Sequence, residues 1–275
     1  MRRKTATRRF GLARALSKLG YCSRSRAVEL IRAGRVSLDG KVCRNPEAPV
    51  PDPTRIALDG SAAKAREKIY IVLNKPRGFI TTALDEKGRK TVYEILNKHS
   101  AARATSSKDD EASISETGIS QASIAKTWLA PVGRLDKATE GLLLLTNDSE
   151  WGAQIAAPES HLDKTYHVQI KVVADDELIK ALLRGVETKE GTVLRAKHVR
   201  RLRAGKKNCW LEIVLDEGKN RHIRRMMESM GIQVLHLVRV AIGPLQLGNL
   251  AKGQYRILNS SEKRMLDRAM RSRNS

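Results

Sequence analysis

One carboxylate in this sequence stands where a reaction could use it. Asp136 lies in the run GRLDKATEGLLLLTND, close to Arg134 and shortly before the aliphatic stretch 142–145, which predicts a buried strand. A carboxylate on a loop that a rigid strand supports is well placed to act as a nucleophile. An aspartate in such a position also caps turns or pairs with a neighbouring arginine, and the residues alone leave both interpretations open.

The sequence gives little support for a metal site, a disulfide framework or a nucleotide-binding loop. The six histidines show neither HxH nor HExxH spacing, and Cys22, Cys43 and Cys209 are far apart with no Cys-x-x-Cys pair. We therefore expect no structural metal site and no disulfide framework, and the free thiols fit a reducing compartment. No GxxxxGK[ST] or GxGxxG run occurs, so nucleotide hydrolysis and dinucleotide binding lose support as well.

The spacing of apolar residues predicts the strands and helices that would hold Asp136. The runs IYIVLNK, LLLLTND, TYHVQIKV, CWLEIVLD and QVLHLVRVAIGPLQLG predict strands, whereas DDELIKALLRGV and HIRRMMESMG predict amphipathic helices. Together they predict an α/β or α+β domain over residues 68–262. Within it, residues 98–126 are rich in Ser, Ala, Thr and acidic residues, which indicates a flexible insertion.

A separate basic module precedes that domain. Residues 11–60 predict two helices and a hairpin, with Ser23 or Ser25 as a helix cap and Asp39–Gly40 as the hairpin turn. The flanking residues 1–10 and 263–275 are expected to form basic tails, the first of them disordered. The basic residues that we expect to contact a polyanion from this module are Arg24, Arg26, Arg32, Arg35 and Lys41, with Arg44 beside them.

The net charge of +22, from 52 basic and 30 acidic residues, favours a polyanionic partner. Nucleic acid is the first candidate, an anionic membrane surface the second, and a merely basic protein the third. The charged N-terminus is not followed by an apolar stretch of signal-peptide length, and the longest aliphatic run is too short to cross a bilayer. We expect a soluble cytoplasmic protein, with an organellar address as a minor alternative.

Four motifs in order resemble one enzyme family. NKPRG, GRLDKATEGLLLLTND, KTYHV and EGKNRHIRRMMESMG are similar to successive motifs of the pseudouridine synthases, in the branch that acts on ribosomal RNA of the small and large subunits. The run SRSRAVELIRAGRVSLDGKVC resembles the S4-like RNA-binding domain of that branch. The resemblance implies an α+β fold, in which a small helical-hairpin S4-like domain precedes a catalytic domain built on a mixed or antiparallel sheet.

The resemblance also implies a reaction and its residues. Uracil is detached from ribose C1′, turned, and rejoined through C5, with no metal or organic cofactor. Asp136 would be the catalytic carboxylate, Tyr166 would stack on the uracil and help remove the C5 proton, and Arg224 would pair with Asp136. Which arginine of the EGKNRHIRRM run makes that pair stays open. The expected substrate contacts are Arg134, Arg221, Ile223 and Arg225.

The expected partner is structured ribosomal RNA whose target uridine is flipped out, bound by a monomer. EGKNRHIRRM is more similar to the large-subunit branch, which favours 23S over 16S ribosomal RNA. Two alternatives remain: the same chemistry on tRNA, and a non-catalytic RNA-binding factor in ribosome assembly that keeps the fold. The complete set of Asp136, Tyr166 and Arg224 favours an enzyme, since a site that has lost its activity need not keep all three.

Overall fold

A computed structural model describes residues 10–82, 88–97, 124 and 127–271. The expected N-terminal tail, up to residue 9, and nearly all of the expected insertion at 98–126 lie outside the described residues. Ile124 is described, and it is buried. In the described ranges, none of the helices combines the length and the apolar composition that a membrane crossing requires.

The N-terminal unit packs two short helices against a small sheet. The Oγ of Ser23 accepts a hydrogen bond from the Arg26 N–H and caps the second helix. Asp39 and Gly40, with φ of 56° and 74°, form the predicted hairpin turn. The elements are β1 Phe10–Gly11 paired with β4 Pro49–Val50, α1 Leu12–Lys18, α2 Arg24–Arg32, and a sheet in the order β3 Lys41–Val42, β2 Val36–Leu38, β5 Ile56–Leu58 and β6 Ser61–Ala62.

The second unit is built on a nine-stranded mixed sheet, as the α+β expectation requires. Its main path, in spatial order, is β13 His198–Ala204, β14 Cys209–Leu215, β10 Lys164–Ile170, β15 Val234–Ile242, β9 Glu140–Thr146, β7 Tyr70–Lys75 and β17 Tyr255–Ile257. β8 Ala130–Val132 joins β9, β16 Leu245–Gln246 joins β15, and β11 Val186–Glu187 pairs with β12 Val193–Leu194 as a separate hairpin. β9 and β15 run parallel, which makes the sheet mixed.

Among the residues that the structure describes, four helices cover this sheet, together with a helical segment at 92–97. They are α3 Ser149–Ala156, α4 Asp176–Arg184, α5 His222–Ser229 and α6 Ser260–Arg271. The sequence predicts a basic tail from residue 263, but α6 continues to Arg271 and its Leu266 is fully buried. The high charge of this segment hid the few apolar residues with which the helix packs onto the core, the buried Leu266 and the partly buried Ala269 and Met270.

The two units meet along the linker that joins them. The Lys68 ammonium donates to the Lys18 carbonyl at 2.7 Å, and the Arg66 N–H donates to the Leu19 carbonyl at 3.0 Å. Asn147, at the end of β9, accepts from the Ile69 N–H and donates to the backbone of the linker. Hydrogen bonds therefore fix the N-terminal unit against the sheet.

Alternate residues along β9 divide the core between two faces. Leu143 and Leu145 pack with the helical segment at 92–97 on the front face, and Leu142 and Leu144 pack with α3 and α6 on the back face. Toward β13 the front face carries a further cluster beneath α4 and α5. Tyr166 packs against both front clusters, so it lies where they meet.

A single row across the front face ties the strands to one another. Directly opposite residues, from β7 to β14, are Lys75, Gly141, Arg239, Tyr166 and Ile213. Side chains of directly opposite residues share a face. Gly141 has φ of +100°, and a Cβ built there would lie 2.2 Å from the Arg239 carbonyl oxygen. The parallel contact between β9 and β15 therefore requires glycine at this position.

We predict that Gly141→Ala destabilises the fold by several kcal/mol. The added methyl would have to push β9 away from β15, and the positive φ of residue 141 is itself costly for alanine. Steric overlap and backbone strain of this kind are among the mechanisms that give large single-site losses of stability. Gly248→Ala is the matched control, because Gly248 also has positive φ (+61°) but open space around its Cβ, so about 1 kcal/mol is expected there. Urea unfolding of both variants tests this, and equal losses would contradict it.

Candidate active site

A cleft of about 770 Å³ opens between the two front clusters. The loop before β9 forms one wall, β10 and β15 form the floor, and the segment entering α5 forms the opposite wall. The residues that line it include Thr81, Arg134, Leu135, Asp136, Lys137, Thr139, Lys164, Tyr166, Lys219, Arg221, His222, Ile223 and Arg239.

The backbone of the loop that carries Asp136 is anchored by hydrogen bonds along its whole length. Each of the five consecutive carbonyl oxygens from Leu135 to Thr139 accepts a hydrogen bond from another part of the chain. The donors, in that order, are Thr81 Oγ1 (2.5 Å), Lys75 Nζ (3.1 Å), the Gly78 N–H (2.7 Å), Arg224 Nη2 (3.0 Å) and again Lys75 Nζ (2.8 Å). Such anchoring holds a reactive group in a fixed geometry.

Lys75 makes two of these bonds from inside the protein, where it is fully buried. Burial lowers its pKa to about 8, although the charges of Asp136 and Glu140 act in the opposite direction. A third bond joins its ammonium to the Pro76 carbonyl at 3.2 Å. Lys75 thus links strand β7 to the loop of Asp136 through backbone contacts.

Arg224 reaches the same loop from α5. Its Nη2 donates to the Ala138 carbonyl, so the guanidinium holds the backbone next to Asp136. Burial lowers the pKa of Arg224, while the nearby charge of Asp136 raises it. Among the described salt bridges shorter than 4.0 Å none joins these two side chains, so the arginine acts on the carboxylate across a longer distance than a direct ion pair.

The neighbouring arginines face different partners. Arg225 donates to Glu190 at 2.7 Å and to Thr188 Oγ1 at 3.3 Å, and it is not among the residues that line the cleft. Its predicted substrate contact therefore conflicts with the position of its guanidinium. Arg221 does line the cleft, is exposed, and holds φ at +49° as α5 begins.

Tyr166 lies on the floor of the cleft, and Ile223 lies on the wall opposite the Asp136 loop. Tyr166 is partly exposed on β10, where the two front clusters meet, and Ile223 is 3% exposed at the start of α5. Their ring and aliphatic surfaces give the cleft an apolar wall that suits a flat heterocycle. Arg134 is exposed at the opening.

The sequence analysis missed two cations on the floor. Lys164, two residues before Tyr166 on the same strand, lines the cleft, and burial lowers its pKa, as does the charge of Arg239. Arg239 is 5% exposed on β15. The signal was present in VLHLVRVAI, where an arginine stands in a mostly apolar strand.

The five predicted contacts of the N-terminal unit are all exposed, and the structure divides them into two groups. Arg26 pairs with Glu29 and Arg35 pairs with Asp59 through two bonds. The three cations that form no ion pair with a described residue are Arg24, Arg32 and Lys41. Their charge remains available to an anionic ligand.

Across the described residues, no three His, Cys, Asp or Glu side chains come together as metal ligands. The cleft contains a carboxylate on an anchored loop, a tyrosine on its floor, and the cations Lys164 and Arg239, the second of them buried, while the buried Lys75 anchors the loop. These groups suit nucleophilic or proton-transfer chemistry on a polar, planar substrate.

Comparison with known proteins gives consistent matches. The family described as RNA pseudouridylate synthase matches residues 69–229, and the S4 domain matches residues 11–53. A Bacillus subtilis protein named ribosomal large subunit pseudouridine synthase B is 33% identical over 256 residues, covering 93% of this chain and 94% of that protein. An Aquifex aeolicus protein named as an uncharacterized RNA pseudouridine synthase is 35% identical over 257 residues, covering 93% of this chain and 92% of that protein.

Among solved structures, a crystal structure of a pseudouridylate synthase aligns with a TM-score of 0.57 at 25% identity. The alignment covers 94% of this chain and 99% of that one, so it includes both units.

Burial of Lys75 predicts an unusual dependence of stability on pH. Below pH 8 the ammonium is charged in both states, so the folded protein bears the whole cost of burying the charge. Between pH 8 and 10.5 only the unfolded chain keeps this proton, so the free energy of unfolding rises. The gain over this range, relative to Lys75→Met, should be about 3 kcal/mol.

Urea unfolding of the wild type and Lys75→Met between pH 7 and 10.5 checks this prediction. Groups that titrate in both proteins cancel in the difference between the two curves. A difference that stays constant with pH would contradict the expected titration of Lys75.

Proposed function

This chain belongs to the RNA pseudouridylate synthase family and carries an S4 domain, and we propose that it converts one specific uridine of 23S ribosomal RNA to pseudouridine. Family membership makes it an enzyme that acts on RNA. The choice of ribosomal RNA rests on the S4 domain, and the choice of the large subunit on EGKNRHIRRM and on the name of the Bacillus subtilis relative.

The observation that carries the proposal is the fixed loop of Asp136. Its five carbonyl oxygens are occupied by other segments, whereas its carboxylate lines the cleft. In the proposed reaction, Asp136 acts on the ribose C1′, either by direct attack or by promoting a glycal intermediate. Fixing the loop keeps the carboxylate close to this atom, which lowers the entropic cost of the step.

The other residues divide the remaining work. Tyr166 stacks on the detached uracil, beside Ile223, and assists in removing the C5 proton after C5 has bonded to C1′. Arg224 supplies positive charge near Asp136 and anchors its loop. Arg134 and Arg221, exposed at the opening, contact the flipped nucleotide and its phosphates. Arg225 has no part in this proposal.

Turning the uridine out of its helix or loop costs a few kcal/mol of unstacking, which contacts elsewhere must offset. The exposed Arg24, Arg32 and Lys41 of the N-terminal unit supply such contacts to the phosphates and shape of structured RNA. If the substrate were tRNA instead, mapping of pseudouridines in total RNA would show the site there.

We predict that Asp136→Ala abolishes formation of one pseudouridine. In a strain that lacks the gene, the wild type should restore a single site in 23S ribosomal RNA, whereas Asp136→Ala should not. With purified protein, the rate should fall by a factor on the order of a thousand or more, because the reacting carboxylate is gone. Sequencing of pseudouridines in total RNA provides the measurement.

Asp176→Ala is the control, because this carboxylate is exposed on α4 and pairs with Arg201. It should restore the site fully. Restoration by Asp136→Ala would reject the catalytic role, and loss of a tRNA site instead of an rRNA site would reject the proposed substrate.

We predict that the salt dependence of RNA binding separates the two units. Replacing Arg24, Arg32 and Lys41 with glutamine should lower the slope of log K against log salt by about 0.7–0.9 per lost phosphate contact. Asp136→Ala should keep the wild-type slope, because the carboxylate contacts no phosphate. Filter binding of a 23S transcript at several salt concentrations measures the slope for each of these variants. Arg35→Gln is the matched control, because Arg35 is already paired with Asp59. An unchanged slope in the triple variant would contradict the assignment.

A further inference from the structure

Arg239 is a buried arginine with part of its guanidinium unused. Only 5% of the residue is exposed, and its Nε donates to the Leu142 carbonyl at 2.8 Å. Its Nη2 is buried and has no hydrogen-bond partner in the part of the chain that the structure describes. Leaving a charged donor unpaired inside a protein is costly, which indicates that a ligand supplies the missing acceptor.

The position of Arg239 puts that donor in the active site. It lines the cleft and lies directly opposite Tyr166 in the row across the front face. On its other side is Gly141, which contributes no side chain. The unused donor therefore belongs to the same floor as the tyrosine on which the uracil is proposed to stack.

The charges around Arg239 favour an electron-rich ligand. Its positive charge lowers the pKa of both Lys75 and Lys164, so three cations are close enough to repel one another. In the described salt bridges no carboxylate pairs with Arg239 itself. Negative charge on a bound ligand would relieve this repulsion.

We propose that Arg239 donates a hydrogen bond to a carbonyl oxygen of the target uracil and stabilises the negative charge that the base acquires as it leaves the ribose. This inference rests on the proposed function and adds to it a contact for the leaving group. Lys164, on the same floor, reinforces the positive potential.

The charge arises in the first bond-breaking step. When the bond between C1′ and N1 breaks, its electron pair stays with the uracil and is shared by N1, O2 and O4. After the ring turns, C5 uses an electron pair to bond to C1′, and the bond between C1′ and Asp136 breaks or, in the glycal route, the proton removed from C2′ returns; the C5 proton then leaves, and N1 gains a proton. Arg239 keeps its protons throughout and acts only by stabilising the anion, as an oxyanion hole does.

A base is a better ligand for this donor than a phosphate. The exposed cations Arg134, Lys137, Lys219 and Arg221 lie at the opening of the cleft, where the RNA backbone would pass. Arg239 lies beneath them, next to a tyrosine whose ring suits a base. A phosphate would have to give up its solvation to reach the floor.

Single-turnover rates on two substrates test the proposal. The full-length enzyme, in excess, is mixed with a 23S transcript made with uridine or with 5-fluorouridine, and loss of the N1-linked nucleoside at the target position is followed by mass spectrometry after digestion. The fluorinated base has no C5 proton to lose, so its reaction ends at the C5-linked base, which adds water across N1 and C6. Fluorine stabilises the uracil anion, so the fluorinated base depends less on the protein. We expect Arg239→Met to slow the uridine substrate about a hundredfold and the fluorinated one about tenfold or less.

The comparison holds even where folding is impaired, because both rates come from one preparation and the folded fraction cancels in their ratio. Arg200→Met is the control, since Arg200 is exposed and pairs with Glu212 outside the cleft; its two rates should match the wild type. Equal slowing of both substrates by Arg239→Met, or no slowing, would overturn the proposal. So would weaker RNA binding with an unchanged rate, which would indicate a phosphate contact.

Asp136→Ala in the same assay keeps the two levels of inference apart. If it converts the uridine substrate, the proposed function itself fails. If it is inactive while Arg239→Met reacts like the wild type, the proposed function stands and only the contact from Arg239 is rejected.

Discussion

Every carbonyl oxygen of the loop from Leu135 to Thr139 is held by a hydrogen bond from another segment, and the rest of the site depends on this. Its carbonyl oxygens are held by groups from β7, from the segment that follows β7, and from α5. Three of these donors lie within residues 75–81 and the fourth, Arg224, lies in α5, so the loop reaches its geometry only when both segments have assembled around it. The carboxylate of Asp136 thereby becomes a product of the tertiary fold rather than of its own turn.

Gly141 transmits this constraint to the sheet. β9 and β15 approach closely at this glycine, which joins Lys75 on one side to Arg239 and Tyr166 on the other in a single row of the sheet. A larger residue would separate the strand that follows the Asp136 loop from the strands that carry the floor of the cleft. Packing and catalysis therefore impose the same requirement on this one position.

The sequence predicted the local elements well because their signals are local. Ser23 caps α2, the Asp39–Gly40 turn has the expected positive φ values, and the alternating runs became strands. The resemblance pointed to Asp136 and Tyr166, which the fold brings to one cleft. Arg225, by contrast, follows Arg224 directly but pairs with Glu190. Successive residues of a helix point in different directions, and a sequence motif does not show which of them faces the cleft.

Cross-strand register explains the residues that were missed. Arg239 and Tyr166 are 73 residues apart in the chain, yet they are directly opposite in the sheet. No periodicity within either strand reveals such a pair, because register depends on how separate strands assemble. An arginine inside a mostly apolar strand was the only signal available, and it indicated burial without naming the ligand.

The basic residues of the chain do two different kinds of work. Those at the surface carry most of the excess charge and are hydrated, so they meet a polyanion at little cost to folding. Lys75 and Arg239 are buried and Lys164 is half-buried, and this burial of charge lowers the stability of the protein without substrate, as the depressed pKa values of the two lysines reflect. These cations lower stability because they repel one another. The same positive potential attracts the anion that leaves the ribose, so the cost in stability is met where a bound substrate is stabilised.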